Sequence, residues 1–539
     1  MSEHNREEAN DSFRLVENAA TDLKSEVREF LDVSQRRRRL LPRAALVGLV
    51  SGVMAVVFRS LLALADYARN GLLEWAHQFP TWGWIFPILF SATGAVLAVA
   101  LVRNFAPETS GSGIPHLKAV MLRFRELDWK RVIPIKMLSG VLALGSGMAL
   151  GREGPTVQMG GAVGDAVSRL LKVSTRERLT LTAAGAGSGL AAAFNAPLSG
   201  LVFVLEEIQR DFRRGVFGAA FIACAVATII TRFVSGQLPV FTVPTFPTPP
   251  LTVLPFMALL GISAGLLGVT FNKGILVTLN LLAPWLKRHA LWVAAAVGAI
   301  VGVAAWISPL AVGSGHTLAE EVLTGNMALA MIPLWFIVRY GLTLISYGTG
   351  SAGGIFAPML ALGALNGLAV GELAHLIAPV AVGQPAVFAV VGMATYFAAV
   401  VRTPLTGIVL IIEMTGDYEL MLALLVSSFC AYIVAEALGD LPIYEALLER
   451  DLLRSGIPSR FEDPVIAEFE VAPGAPFAGR QIRDLGLPAG CIIVRCMDGE
   501  HEWVPHAKSV LEPHTRLTAV IAPEAKDGFA ALHHGCEAG

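Results

Sequence analysis

Arg152 and Glu153 stand side by side in G-R-E-G-P (151–155), an ionic pair held between glycines inside a strongly apolar region. If that region crosses a bilayer, each charge costs about 2.5 to 3.5 kcal/mol at mid-membrane, so function has to account for them. The motif has the chemistry of a helix start. Pro155 suits a first turn, where its missing N–H is no loss, and Gly154 leaves neighbouring amides bare. A helix start carries roughly half a positive charge, which makes it an anion site. Glu153 is placed to fill that site with its own carboxylate whenever a dissolved anion does not. Capping of its own helix beside Arg152 is the plainer role, but capping alone does not explain burial.

Two further segments have the same character. G-S-G-I-P (111–115) frees the backbone at Gly111 and Gly113, offers the Ser112 hydroxyl as a donor and opens a helix at Pro115. G-G-I-F-A-P (353–358) presents the amides of Ile355 and Phe356 ahead of Pro358. Tyr444 adds a phenol that can donate a hydrogen bond, with interfacial anchoring as its other reading. Lys136, in I-P-I-K-M-L, is a second isolated cation in apolar surroundings. G-S-G also occurs at 145, 187 and 313, which reads as ordinary flexible turns.

The elements that position these residues are membrane helices. The chain has 539 residues, 54% hydrophobic and 16% charged, and its mean hydropathy is +0.61. Those values lie outside the soluble globular range. Apolar stretches of bilayer length, about 17 to 25 residues, recur from about residue 40 to 440 and predict a dozen or more membrane helices. The net charge of -2 gives no sign of nucleic acid. S-Q-R-R-R-R (34–39) precedes the first apolar span, and Arg450, Arg454 and Arg460 follow the last, so the positive-inside rule places both ends in the cytoplasm of a bacterial-type plasma membrane. Residues 1–39 read as a cytoplasmic extension, with a surface helix around 21–32. Five scattered cysteines show neither disulfide pattern nor metal spacing, which predicts a reduced compartment, no structural metal and no cofactor.

Internal duplication is visible. P-L-x-G opens a segment at Pro197 and again at Pro404, each twelve residues after a glycine (Gly185, Gly392) and nine before a glutamate (Glu206, Glu413). Two repeats, about 40–235 and 250–455, are expected, with interrupted helices and a binding site near the midplane where the halves meet. Glu207 aligns with Met414 and so has no counterpart. It reads as an acid with a task of its own, or as a surface glutamate at a helix end.

G-S-G-I-P, G-R-E-G-P and G-x-F-x-P, in that order on interrupted helices, resemble the CLC family of chloride channels and proton/chloride exchangers over residues 40–455. The resemblance implies a homodimer with a separate anion pathway in each subunit and an inverted-repeat α-helical fold. Central chloride would be held by Ser112, Tyr444 and the amides of Ile355 and Phe356, within the frame of Gly111, Gly113, Gly154 and Pro155. Glu153, beside Arg152, would be the external gate, and Lys136 would raise the local positive potential. Glu207 matches the internal proton-transfer glutamate of exchangers, where the family's channels tend to carry an apolar residue. Antiport of two anions per proton is the expectation, and a passive, voltage- or pH-gated chloride channel of the same fold is the alternative. Ser112 resembles chloride-preferring members more than fluoride or nitrate branches. His116 departs from the acidic residue that often follows G-S-G-I-P, which alters the electrostatics of the cytoplasmic entrance.

From about Ser455 charges become frequent and apolar residues alternate, with D-G-E as a hairpin turn. A small α/β module over 459–523 resembles the TrkA-C domain, in the order strand, helix, strand, hairpin, strand. Such modules dimerise and some bind small-molecule regulators. Residues 524–539 are expected to form a flexible tail with His533 and His534 in solvent. G-T-G-S-A-G (348–353) fits a dinucleotide motif, but its apolar context and Pro358 argue against a βαβ unit and against an enzyme. A potassium-linked transporter, suggested by the tail, would need carbonyl or acidic rings that the membrane segments lack.

Overall fold

The computed structural model describes residues 3–537 apart from 210–213, 238–239, 242, 244–245, 325–326, 456–464, 500, 523–524 and 526, with side chains from Arg39 onward. Arg460 and Glu500 fall outside the described residues. The helix expected around 21–32 lies within a continuous helix, Glu3–Ala76.

Two units divide at Leu448 and Glu449. In the first, six helical stretches among the described residues are long and apolar enough to cross a membrane, for example Ile85–Phe105 and Phe356–Ile377. One of these, Leu251–Ile307, holds two helices that meet at His289, whose φ and ψ of -134° and 39° are not helical. The other helices of this unit are shorter or carry more polar residues.

The order of helices occurs twice. Ile114–Met121 and His316–Leu323 are both eight residues long, and Trp129–Gly145 and Ile332–Gly348 are both seventeen. Glu153–Leu170 followed by Thr175–Phe194 is matched by Phe356–Ile377 followed by Ala386–Val401. These four helices form the interior. They pack at near-backbone contact: a Cβ on Gly160 would lie 2.2 Å from the Gly185 carbonyl oxygen, and one on Gly363 would lie 2.5 Å from that of Gly392. Small residues at such crossings let van der Waals contact stabilise helix pairs where lipid supplies no hydrophobic drive.

The two P-L-x-G helices, Pro197–Phe203 and Pro404–Thr415, show how the halves are related. The Glu206 carboxylate accepts from the amides of Leu405 and Thr406 at 3.2 and 2.7 Å and from the Thr406 hydroxyl at 2.7 Å. Reciprocally, Glu413 accepts from the amides of Leu198 and Ser199 at 3.0 and 2.7 Å and from the Ser199 hydroxyl at 2.6 Å. Each segment's end meets the other's start, so the two run antiparallel and the repeat is inverted. Each carboxylate also satisfies orphan first-turn amides.

The second unit is built on an antiparallel sheet of order β1-β4-β2-β3, with β1 Val465–Glu470, β2 Cys491–Asp498, β3 His501–Trp503 and β4 Arg516–Ile521. The D-G turn joins β2 to β3 as expected. Only one short 3-10 turn, Ile482–Asp484, stands where a helix was expected after A-G-R. The flexible tail is corrected. Gly528–Cys536 is a helix whose Leu532 and Cys536 are buried in the sheet's core, and the Ala472 and Phe477 amides donate to the carbonyls of Cys536 and Gly535. Every fourth residue of F-A-A-L-H-H-G-C turns inward, while His533 and His534 face solvent.

Candidate functional site

Three helix starts converge, and the main chain joins them. The Gly111 amide donates to the Ser351 carbonyl at 3.0 Å, and the Gly353 amide donates to the Gly111 carbonyl at 3.1 Å. Gly151 and Gly354 exchange a reciprocal pair of hydrogen bonds at 2.7 and 2.8 Å. G-S-G-I-P, G-R-E-G-P and G-G-I-F-A-P therefore form one woven unit. Gly154 permits the closest approach, since a Cβ there would fall 2.7 Å from Ser112 Oγ and 2.8 Å from the Ser112 carbonyl oxygen. Pro155 lies in the first turn of Glu153–Leu170, as the motif predicted.

Glu153 is buried, and its carboxylate lies against Gly151 and the Ala357 amide, with Arg152 Nε at 3.9 Å from Oε1. It thus sits at the start of the neighbouring helix as well as its own. It also lines a narrow recess with Arg152, Phe194, Phe241, Ser314 and His316. Ile355 and Phe356, both fully buried, begin Phe356–Ile377, where first-turn amides have no intrahelical acceptor. The Phe356 ring packs on Phe194 and Phe397, with centroids 5.2 and 4.4 Å away, which fixes that start.

Ser112 and Tyr444 come together from opposite ends of the chain. Both hydroxyls are buried, and neither makes a hydrogen bond of normal geometry within the protein. Buried polar groups are usually satisfied, so these two neighbouring hydroxyls set the place apart from the rest of the interior. Tyr444 is supplied by Ile443–Arg454, a helix that follows the last element of the repeat. Lys136 is fully buried and donates to the carbonyls of Thr109 and Gly111 at 2.8 and 2.7 Å. It ties down the Ser112 loop.

Glu207 is fully buried, which excludes the surface-glutamate reading. Its Oε1 lies 2.7 Å from Lys118 Nζ, and Glu445 Oε1 lies 3.4 Å from the same ammonium. Sequence reasoning did not single out Lys118 or Glu445, although they are two residues past His116 and one past Tyr444. His116 Nδ1 is 3.3 Å from Gln158 Nε2, beneath the Ser112 loop.

One expectation about the loops is corrected. G-S-G at 187 lies inside the helix Thr175–Phe194, and G-S-G at 313 is no ordinary turn but the repeat counterpart of G-S-G at 111. Each follows a 3-10 turn, Pro107–Thr109 and Pro309–Ala311, and precedes an eight-residue helix. Gly113 and Gly315 hold positive φ values of 83° and 86°, where a side chain would be strained. Arg339 mirrors Lys136, donating to the Ala311 and Gly313 carbonyls at 3.2 and 2.6 Å. The signal was a proline four residues before each G-S-G and a lone buried cation some 25 residues after it.

Inverted repeats of interrupted helices whose starts converge in the interior are the architecture of a membrane transport protein. The voltage gated chloride channel family model matches residues 94–436, and the TrkA-C domain model matches 466–532. The H(+)/Cl(-) exchange transporter ClcA of Vibrio parahaemolyticus is 41% identical over 437 residues, covering 80% of this chain and 93% of the relative. Its counterpart in Yersinia pseudotuberculosis is 38% identical, covering 84% and 96%. A solved slow cyanobacterial Cl-/H+ antiporter is 38% identical with a TM-score of 0.74, covering 78% of this chain and 99% of that one. The chain belongs to the voltage gated chloride channel (CLC) family and carries a TrkA-C domain at its C-terminus.

Proposed function

We propose that this protein is a secondary active antiporter that exchanges chloride for protons across a bacterial plasma membrane. The observation that carries the reading is the interior convergence of three helix starts with the buried Ser112 and Tyr444 hydroxyls and the Glu153 carboxylate. Chloride would be held by Ser112, Tyr444 and the amides of Ile355 and Phe356, with Gly111 and Gly113 shaping the loop, and Lys136 and Arg152 making the region electropositive. Ionised Glu153 competes for the seat. Protonation releases it, and chloride enters as the proton departs, so counter-movement needs no large rotation of the repeats.

Glu207 supplies the second proton station, on the side of the membrane to which both termini are assigned. A buried acid with no repeat counterpart favours an exchanger over a passive channel, and the exchange transporters to which the chain is similar support the same choice. Two anions per proton, a homodimer of independent pathways and a small-molecule regulator at the TrkA-C domain complete the reading. The membrane domain is assigned to 40–455, after the extension 1–39.

Purified protein in liposomes with a chloride gradient tests it, with proton movement followed by a pH electrode. Chloride flow that drives protons uphill is expected, with Glu153→Ala keeping anion flux but losing protons. Flux without proton pumping in the unaltered protein would make it a channel.

A further inference from the structure

An inverted repeat predicts a mirror image of the Ser112 and Tyr444 site on the Glu153 side, and the residues found there differ in kind. Ser314 stands for Ser112 in the second G-S-G loop, and Met414 stands for Glu207. Phe241 stands for Tyr444. It comes six residues after Arg214–Ser235, the last helix of the first repeat, as Tyr444 comes seven after Met421–Ala437, the last helix of the second. The contacts are reciprocal too. Tyr444 lies by Ser112 and Glu207 of the first repeat. Phe241 stacks on His316 of the second, with ring centroids 4.6 Å apart, and its amide donates to the Met414 carbonyl at 3.0 Å. A phenol and an acid on one side are answered by a phenyl ring and a thioether on the other.

Ser314, His316, Phe241 and Met414 all line the recess that Glu153 and Arg152 border. The Glu153 side chain is 3% exposed and that of His316 is 37%, so the recess leads from the buried acid toward solvent past the imidazole. The Phe241 ring is itself buried and sits against that imidazole. We propose that the Phe241 ring, seated on His316, is an apolar constriction that sets the rate at which chloride passes between Glu153 and the solution. The inference rests on the antiport reading only in taking chloride to pass Glu153. An apolar ring offers chloride no hydrogen bond in exchange for the water it sheds, and narrow apolar passages tend to empty of water, so the ring slows the ion without binding it. The charged groups around it are Arg152 and Glu153 in the recess, Glu320 at 3.4 Å from His316 Nε2, and Arg59, which acts on His316 along with Arg152. The arginines draw chloride to the mouth, and the ring governs its entry. Two attachments, one through the main chain to Met414 and one through the ring to His316, hold Phe241 in place.

Chloride turnover of the full chain in liposomes, read with a silver electrode, is the test. Phe241→Ala is expected to raise turnover about threefold or more, and to do so again in a Glu153→Ala background, where the acid no longer competes for the path. A gain of rate is not what loss of a merely structural ring would give. Phe241→Leu, which restores apolar bulk, is expected within about twofold of the parent. Unchanged or lower turnover in Phe241→Ala overturns the inference. If that variant fails to assemble, His316→Ala decides at a half-exposed position, since it unseats the ring: a gain of about twofold or more supports the constriction and no gain overturns it. The readout is chloride alone, so an unaltered protein that moves no protons defeats the antiport reading and leaves this inference standing. Normal proton pumping with parent-like turnover in Phe241→Ala defeats this inference alone.

Discussion

Glu206 and Glu413 cap each other's helices across the interface between the repeats, three hydrogen bonds in each direction. Hydrophobic drive between helices is absent in lipid, so such polar contacts add to van der Waals packing in holding the repeats together.

Glu206→Ala leaves two amides and a hydroxyl without their acceptor and is expected to destabilise the membrane domain by about 1 to 3 kcal/mol. The measurement is the thermal unfolding midpoint in detergent, with Glu206→Gln expected to lose less because it keeps an acceptor oxygen. Glu413→Ala should match Glu206→Ala, and an unchanged midpoint in either would show the cap to be idle.

Lys136 joins the Ser112 loop to the helix Trp129–Gly145 through two carbonyl acceptors. Lys136→Met removes both the tie and the charge. Chloride affinity, read by titration calorimetry, is expected to fall tenfold or more, with Lys136→Arg intermediate. Affinity unchanged in Lys136→Met would separate this lysine from the anion seat.

Burial pushes the Cys536 thiol up to about 11 in the TrkA-C unit. A raised value means the fold favours the neutral thiol, so its contribution is fully present below the ordinary value near 9 and is lost as pH rises from there toward 11. A thiol reagent at pH 8, with modification read by peptide mass spectrometry, should label the half-buried Cys491 at least tenfold faster than Cys536, and urea should equalise them. Equal rates in the folded protein would return Gly528–Cys536 to the status of a loose tail.

The parts of the fold and candidate site that could be read from sequence were those with local signatures. Proline and glycine at helix starts report backbone geometry within a few residues, so G-R-E-G-P, G-S-G-I-P and both P-L-x-G segments were legible, as was the duplication. The use of Glu206 and Glu413 was not, because their acceptor role lies across about 200 residues of chain. Lys118 failed to stand out because one lysine on a short helix looks the same in solvent or beside a buried acid. G-S-G at 313 was passed over for want of a following proline, although the loop is set by its two glycines and by Arg339. The final helix was missed because two adjacent histidines masked a four-residue apolar period.

Because the three loops are stitched by peptide groups at Gly111, Gly151, Gly353 and Gly354, their register is held by the main chain, and mutation reaches it through the glycines themselves: a proline would remove a donated N–H, and a Cβ on Gly151 or Gly353 would fall 2.3 or 2.6 Å from a neighbouring side chain.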